Sequence, residues 1–87
     1  MKTEKEICEI DKLLNELKIK SINGYEIARV IYRFFEINGQ KYCLSFCPIK
    51  TTNWVFNCED DNKMLYVGYS RSEVKIIIKD ILEGRYK

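Results

Sequence analysis

Residues 25–46, YEIARVIYRFFEINGQKYCLSF, constrain the fold more than any other stretch of this chain. Two runs rich in β-branched and aromatic residues flank Asn38-Gly39. That dipeptide readily takes the positive φ values of a two-residue hairpin turn. Such a turn sets Glu36 opposite Lys41, Phe34 opposite Cys43, Tyr32 opposite Ser45 and Val30 opposite Cys47. The complementary charges of Glu36 and Lys41 support this register.

Pro48 ends the second strand, because it cannot donate to a ladder. NWVFNC and MLYVGY then read as two further strands joined by the polar EDDNK, a second hairpin. Before the sheet, TEKEICEIDKLLNELK reads as a helix. Thr3 and Glu6 have capping-box spacing, and Ile7, Ile10, Leu14 and Leu17 form one apolar stripe. SINGY stops it, with Asn23-Gly24 as the turn. After the sheet, Ser70 and Glu73 repeat the capping-box spacing. Val74, Ile77, Ile78, Ile81 and Leu82 share one helical face, and Gly84 stands at a C-cap position.

At 87 residues and 46% apolar composition, the chain can build one core and no second one. The expected fold is α+β and two-layered: a four-stranded antiparallel β-meander with an N-terminal and a C-terminal helix (α-β-β-β-β-α), forming a single domain over residues 1–87.

The chain contains no histidine, which removes histidine-based triads, acid-base pairs and zinc sites from its own repertoire. Four cysteines remain, Cys8, Cys43, Cys47 and Cys58. Structural zinc sites take thiolates in close pairs on turns, whereas four residues of strand hold Cys43 and Cys47 about 13 Å apart. The expectation is small buried thiols and no metal. CEDDNK lacks the spacing of a calcium loop, and no glycine-rich phosphate loop is present. Neither a catalytic residue, nor a cofactor, nor a small-molecule site is identifiable.

Fifteen basic and thirteen acidic residues, net +2, are mixed along the chain without blocks. That balance gives no footprint of a dedicated nucleic-acid or membrane binder. The charged start MKTEKEICEIDK has no apolar leader region, so the expected location is cytoplasmic, with reduced thiols. Abundant Lys, Ile, Asn and Tyr point to an AT-rich coding sequence, as in a low-GC bacterium, its phages or mobile elements.

The first hairpin is apolar on both faces. One face holds Ala28, Val30, Tyr32, Phe34, Cys43, Ser45 and Cys47; the other holds Ile27, Arg29, Ile31, Arg33, Phe35, Tyr42, Leu44 and Phe46. A solvated antiparallel sheet alternates apolar with polar instead. Burying unpaired guanidinium groups costs several kcal/mol, so the uncharged face is expected inward. Arg29, Arg33, Phe35, Tyr42 and Phe46, with Tyr66 as a lesser candidate, are then the partner-binding residues. Two alternatives stay open: the helices split one per face, or a bulge at Phe34-Phe35 mixes the sets.

The function expected is that of a small non-catalytic intracellular binding protein, phage or mobile-element encoded. It would act by protein-protein contacts of a sheet face, as an inhibitor of a host defence factor or as a homodimer. The alternative is a nucleic-acid-binding domain stacking bases on the aromatic and arginine face, with Lys50, Arg71, Arg85 and Lys87 supplying charge.

NWVF at 53–56, LYVGYS at 65–70 and the helix after them resemble the plant ethylene-response-type and integrase arm-type DNA-binding domains. The resemblance covers about residues 52–82 and implies a DNA-reading sheet face. Asn53, Val55, Asn57, Met64 and Tyr66 would form it here, and none is basic, so that function is not carried over.

Overall fold

In the computed structural model, which describes residues 9–49 and 53–85, seven elements follow one another. They are α1 (Glu9–Glu16), β1 (Asn23–Ile27), β2 (Val30–Ile37), β3 (Gln40–Phe46), β4 (Trp54–Cys58), β5 (Lys63–Gly68) and α2 (Arg71–Leu82). The strands form one antiparallel sheet in the order β1-β2-β3-β4-β5. The α+β class and the flanking helices are as expected, but the sheet has five strands rather than four.

The additional strand comes from a turn without the usual turn residues. The run from Tyr25 to Ile37 reads as one strand, yet the chain reverses at Ala28-Arg29, with φ of 51° and 69°. Ile27 pairs with Val30, so these two residues are the whole loop. Two successive positive φ values make it the type I′ geometry whose twist matches the flanking strands. Asn23-Gly24, expected as the turn after the helix, lies in β1 instead.

Lys18 ends α1 in the left-handed conformation, φ 61°. The Ile19 N–H donates to the Leu14 carbonyl at 2.9 Å and the Lys18 N–H to the Asn15 carbonyl at 3.1 Å. That is a Schellman termination with lysine where glycine is usual. Thr3, Glu6 and Ile7 lie outside the described residues. At the second helix both expected caps are present: the Ser70 hydroxyl accepts from the Glu73 N–H, and Gly84 has φ 78°. The Asn38-Gly39 turn has φ of 53° and 85°, and Phe34–Cys43, Tyr32–Ser45 and Glu36–Lys41 pair as the two-residue loop requires.

Both helices cover the same face of the sheet. Ile10, Leu13 and Leu14 from α1 and Val74, Ile78 and Ile81 from α2 share one cluster with Phe35, Ile37, Tyr42, Leu44, Trp54, Phe56 and Cys58. Alternation along the strands puts all of those sheet residues on one side. At its centre Phe35, Tyr42 and Phe56 stack with ring centroids 5.5–6.1 Å apart. The helices are also joined directly, because Glu16 of α1 accepts from Arg71 at 2.8 Å and from Lys75 at 3.1 Å, both of α2.

This inner face is the arginine-bearing one, which reverses the expected orientation. The argument from buried guanidinium charge fails because α1 supplies a counter-ion. Arg33 Nε and Nη2 donate to the two Asp11 carboxylate oxygens at 3.0 and 3.3 Å, and Nη1 donates to the Tyr32 carbonyl at 2.9 Å. A half-buried guanidinium with this many acceptors carries no bare-charge penalty. Arg33 reaches that position over Gly24, where a Cβ would stand 2.7 Å from Arg33 Cδ and 2.5 Å from the Tyr32 carbonyl oxygen.

Candidate docking face

The opposite, outer face of the sheet is lined by the alternate residues of all five strands. β1 contributes Asn23, Tyr25 and Ile27; β2 contributes Val30, Tyr32, Phe34 and Glu36; β3 contributes Lys41, Cys43 and Ser45. Beyond them stand Val55 and Asn57 of β4, then Met64 and Val67 of β5. Among the described residues no helix packs on this side. Ile27 is 60% exposed, Met64 59%, Val67 48% and Tyr25 46%. Glu36 and Lys41 are the only charged side chains that the five strands turn outward.

The face has relief. Tyr25, Tyr32 and Phe34 form a ring cluster with centroids 4.8 and 5.8 Å apart, a ridge over β1 and β2. Beside it Cys43, Ser45 and Cys47 are 7%, 8% and 6% exposed, a floor of small side chains between that ridge and the Val55 and Asn57 wall. The Asn53 and Asn57 side-chain oxygens on the wall are buried and accept no hydrogen bond from the described residues. Buried polar atoms normally find a partner.

None of the residues expected to bind a partner belongs to this face. Phe35 and Tyr42 lie in the core, 0% and 5% exposed, so neither can meet another molecule in the folded chain. Phe46 is half-buried on the inner side against Trp54, ring centroids 4.6 Å apart. Arg33 is engaged by Asp11, and Arg29 sits at the exposed β1–β2 turn. Tyr66 packs on the core and folds across Gly68, and its hydroxyl accepts from the Ser70 N–H at 3.0 Å. A Cβ on Gly68 would stand 2.4 Å from that hydroxyl, so the bare backbone makes room for the ring. Tyr25, Tyr32 and Phe34, which line this candidate face, are not among the residues expected to bind a partner, and Val55 enters the sequence reading only through the DNA-binding resemblance. Their signal was the same alternation, read with the faces exchanged.

Nucleophilic chemistry has little support on this face. Burial, and secondarily the negative charge of Glu59, pushes the Cys43 thiol up to about 11. A thiol that stays protonated is a poor nucleophile and a poor metal ligand. Among the described residues no group of three His, Cys, Asp or Glu stands together as metal ligands. Cys8 lies outside them.

A shallow concavity of about 430 Å³ lies between the Asn38-Gly39 turn and the end of α2. Tyr42, Gln40 and Asn38 on its wall are hydrogen-bonded within the chain. The Tyr42 hydroxyl donates to Gln40 Oε1 at 3.1 Å, and the Asn38 amide donates to the Ile81 carbonyl at 3.3 Å.

The cations expected to draw nucleic acid are spoken for or out of view. Arg71 pairs with Glu16 and Glu9, Arg85 pairs with Asp80 and Glu83, and Lys50 and Lys87 lie outside the described residues. No described helix is long and apolar enough to cross a membrane. Of the surface suggested by the DNA-binding resemblance, Asn53, Val55, Asn57 and Met64 stand on the outer side, while Tyr66 turns inward. No family model matches the chain, and no curated protein and no solved structure matches it.

Proposed function

We propose that this chain is a small non-catalytic binding domain that acts through protein-protein contacts of the outer sheet face. The observation that carries the reading is the composition of that face. An antiparallel sheet with one solvated side places polar residues there. This one places Tyr25, Ile27, Val30, Tyr32, Phe34, Val55, Met64 and Val67 there, against three uncharged polar residues, Asn23, Ser45 and Asn57, and one anion and one cation at one end. A contiguous apolar patch of this kind marks an interaction site, and depletion of charge with enrichment of aromatics is the composition of interface cores. An inhibitor of a host defence factor would use the same face.

A nucleic-acid partner has weaker support, since the strands offer only Lys41 to phosphates on this side. A photo-crosslinking side chain at Tyr25 or Val67, both about half exposed, should capture protein, with Ser72 on α2 as the exposed control. Capture should persist in roughly 0.5 M salt, which strips phosphate-dominated complexes but not apolar contacts. Recovery of nucleic acid, or equal capture from Ser72, would refute the reading.

A further inference from the structure

We propose that the occupant of the outer face is a second copy of this chain, packed sheet on sheet about a two-fold axis that runs parallel to the strands between β2 and β3. This rests on the reading of the outer face as a protein-docking surface, and it goes further by naming the partner.

Register carries the argument. Across β2 and β3 the outward pairs are Phe34 with Cys43, Tyr32 with Ser45 and Glu36 with Lys41. Each of the first two sets a large ring beside a small side chain, and the third sets an anion beside a cation. A rotation of 180° about the stated axis lays β2 of one copy over β3 of the other, row upon row. Phe34 then stands over Cys43 of the other copy, Tyr32 over its Ser45, and Glu36 over its Lys41. The second half of the interface is the same set reversed, as an isologous contact requires. The rings of each copy then lie over the row of small side chains of the other.

Tyr25, one strand further out in the same row as Ser45 and Val55, falls over Val55 of the other copy. Aligned sheets pack at about −30°, and the axis bisects that angle.

Charge points the same way. The two outward charges, neighbours across β2–β3 within one copy, also meet their opposites in a second copy, where Glu36 stands over Lys41 and Lys41 over Glu36.

Four strands of each copy overlap, about 19 Å by 17 Å from strand spacing and rise, which is small for a specific interface. The dimer therefore belongs to the weak, transient class of interfaces.

Sedimentation of the full chain from about 5 to 500 µM should show a monomer–dimer equilibrium in that range. Tyr32→Lys and Ser45→Arg should abolish it with an unchanged far-UV spectrum. Should either variant fail to fold, the exposed charges decide. Glu36→Lys alone and Lys41→Glu alone should each weaken the dimer roughly three- to tenfold, and the double exchange should restore it, because two reciprocal pairs are made in every dimer. A chain that stays monomeric throughout overturns the proposal, as does self-association that ignores both sets of variants.

The crosslinking at Tyr25 and Val67 separates this failure from failure of the docking reading. Capture of a different protein from those sites by a monomeric chain leaves docking standing and removes the second copy. A monomeric chain with no captured protein removes both.

Discussion

Ala28 and Arg29 offer the sharpest test of the architecture, because the same substitutions should change stability in opposite directions in the two competing folds. Both residues hold left-handed backbone, φ 51° and 69°. That region costs an L-residue roughly 1–2 kcal/mol, less for asparagine and almost nothing for glycine. Ala28→Asn with Arg29→Gly installs the usual type I′ pair. Glycine returns roughly 0.5–1 kcal/mol of the gain as unfolded-state entropy, which leaves a net stabilisation of about 1–2 kcal/mol. In an 87-residue chain that raises Tm by about 5–15 °C.

Urea unfolding, followed by the fluorescence of Trp54, which is 3% exposed, should show a higher midpoint with an unchanged slope. Ala28→Val should do the reverse, since a β-branched residue tolerates positive φ worst. If residues 25–37 instead formed one continuous strand, the glycine would sit mid-strand and cost about 0.5–1 kcal/mol. A lowered midpoint for the Asn-Gly variant would thus refute the turn, and with it β1 and the Tyr25 part of the outer face.

Asp11→Ala should lower stability by about 1–2 kcal/mol, because Arg33 keeps its half-buried place without its carboxylate. Adding Arg33→Met should recover part of that loss, and strictly additive effects would show that the two groups do not meet. Iodoacetamide at about pH 8 should modify Cys43, located by peptide mapping, at least tenfold more slowly in the folded chain than in urea, since a thiol raised to about 11 is thiolate in roughly one molecule per thousand. Equal rates would place Cys43 outside a buried site.

The Glu16 carboxyl should titrate below its ordinary value, held down first by Arg71 and then by Lys75. Its stabilising contribution is therefore present above the unfolded carboxyl value and is lost as pH falls through the lowered folded one. NMR titration should show the depressed value moving back up in Arg71→Gln, and an unmoved value would break the proposed link between α1 and α2.

What could be read from the sequence was what local chemistry dictates. Asn38-Gly39, the Ser70 cap and the Gly84 termination each adopt the backbone that their residue types favour. The β2–β3 register followed from a loop of two residues. The β1–β2 hairpin and the end of α1 were illegible for one reason: Ala28, Arg29 and Lys18 occupy left-handed positions that their residue types disfavour.

That single omission also turned the sheet over. Read as one strand, residues 25–37 give the inner face two arginines, Arg29 and Arg33, and make it look too charged to bury. The turn removes Arg29 from the sheet, and the one guanidinium left is met by Asp11, a residue one position along α1 from the fully buried Ile10. An ion pair between helix and sheet depends on how α1 is rotated and placed, which periodicity alone does not specify. Once Arg33 is satisfied, nothing opposes burying the face with Phe35, Tyr42 and Leu44, and the uncharged face is left outward. A sheet surface that faces water gains solubility from charge, and the near-absence of charge on this one is the feature that the proposed docking reading accounts for.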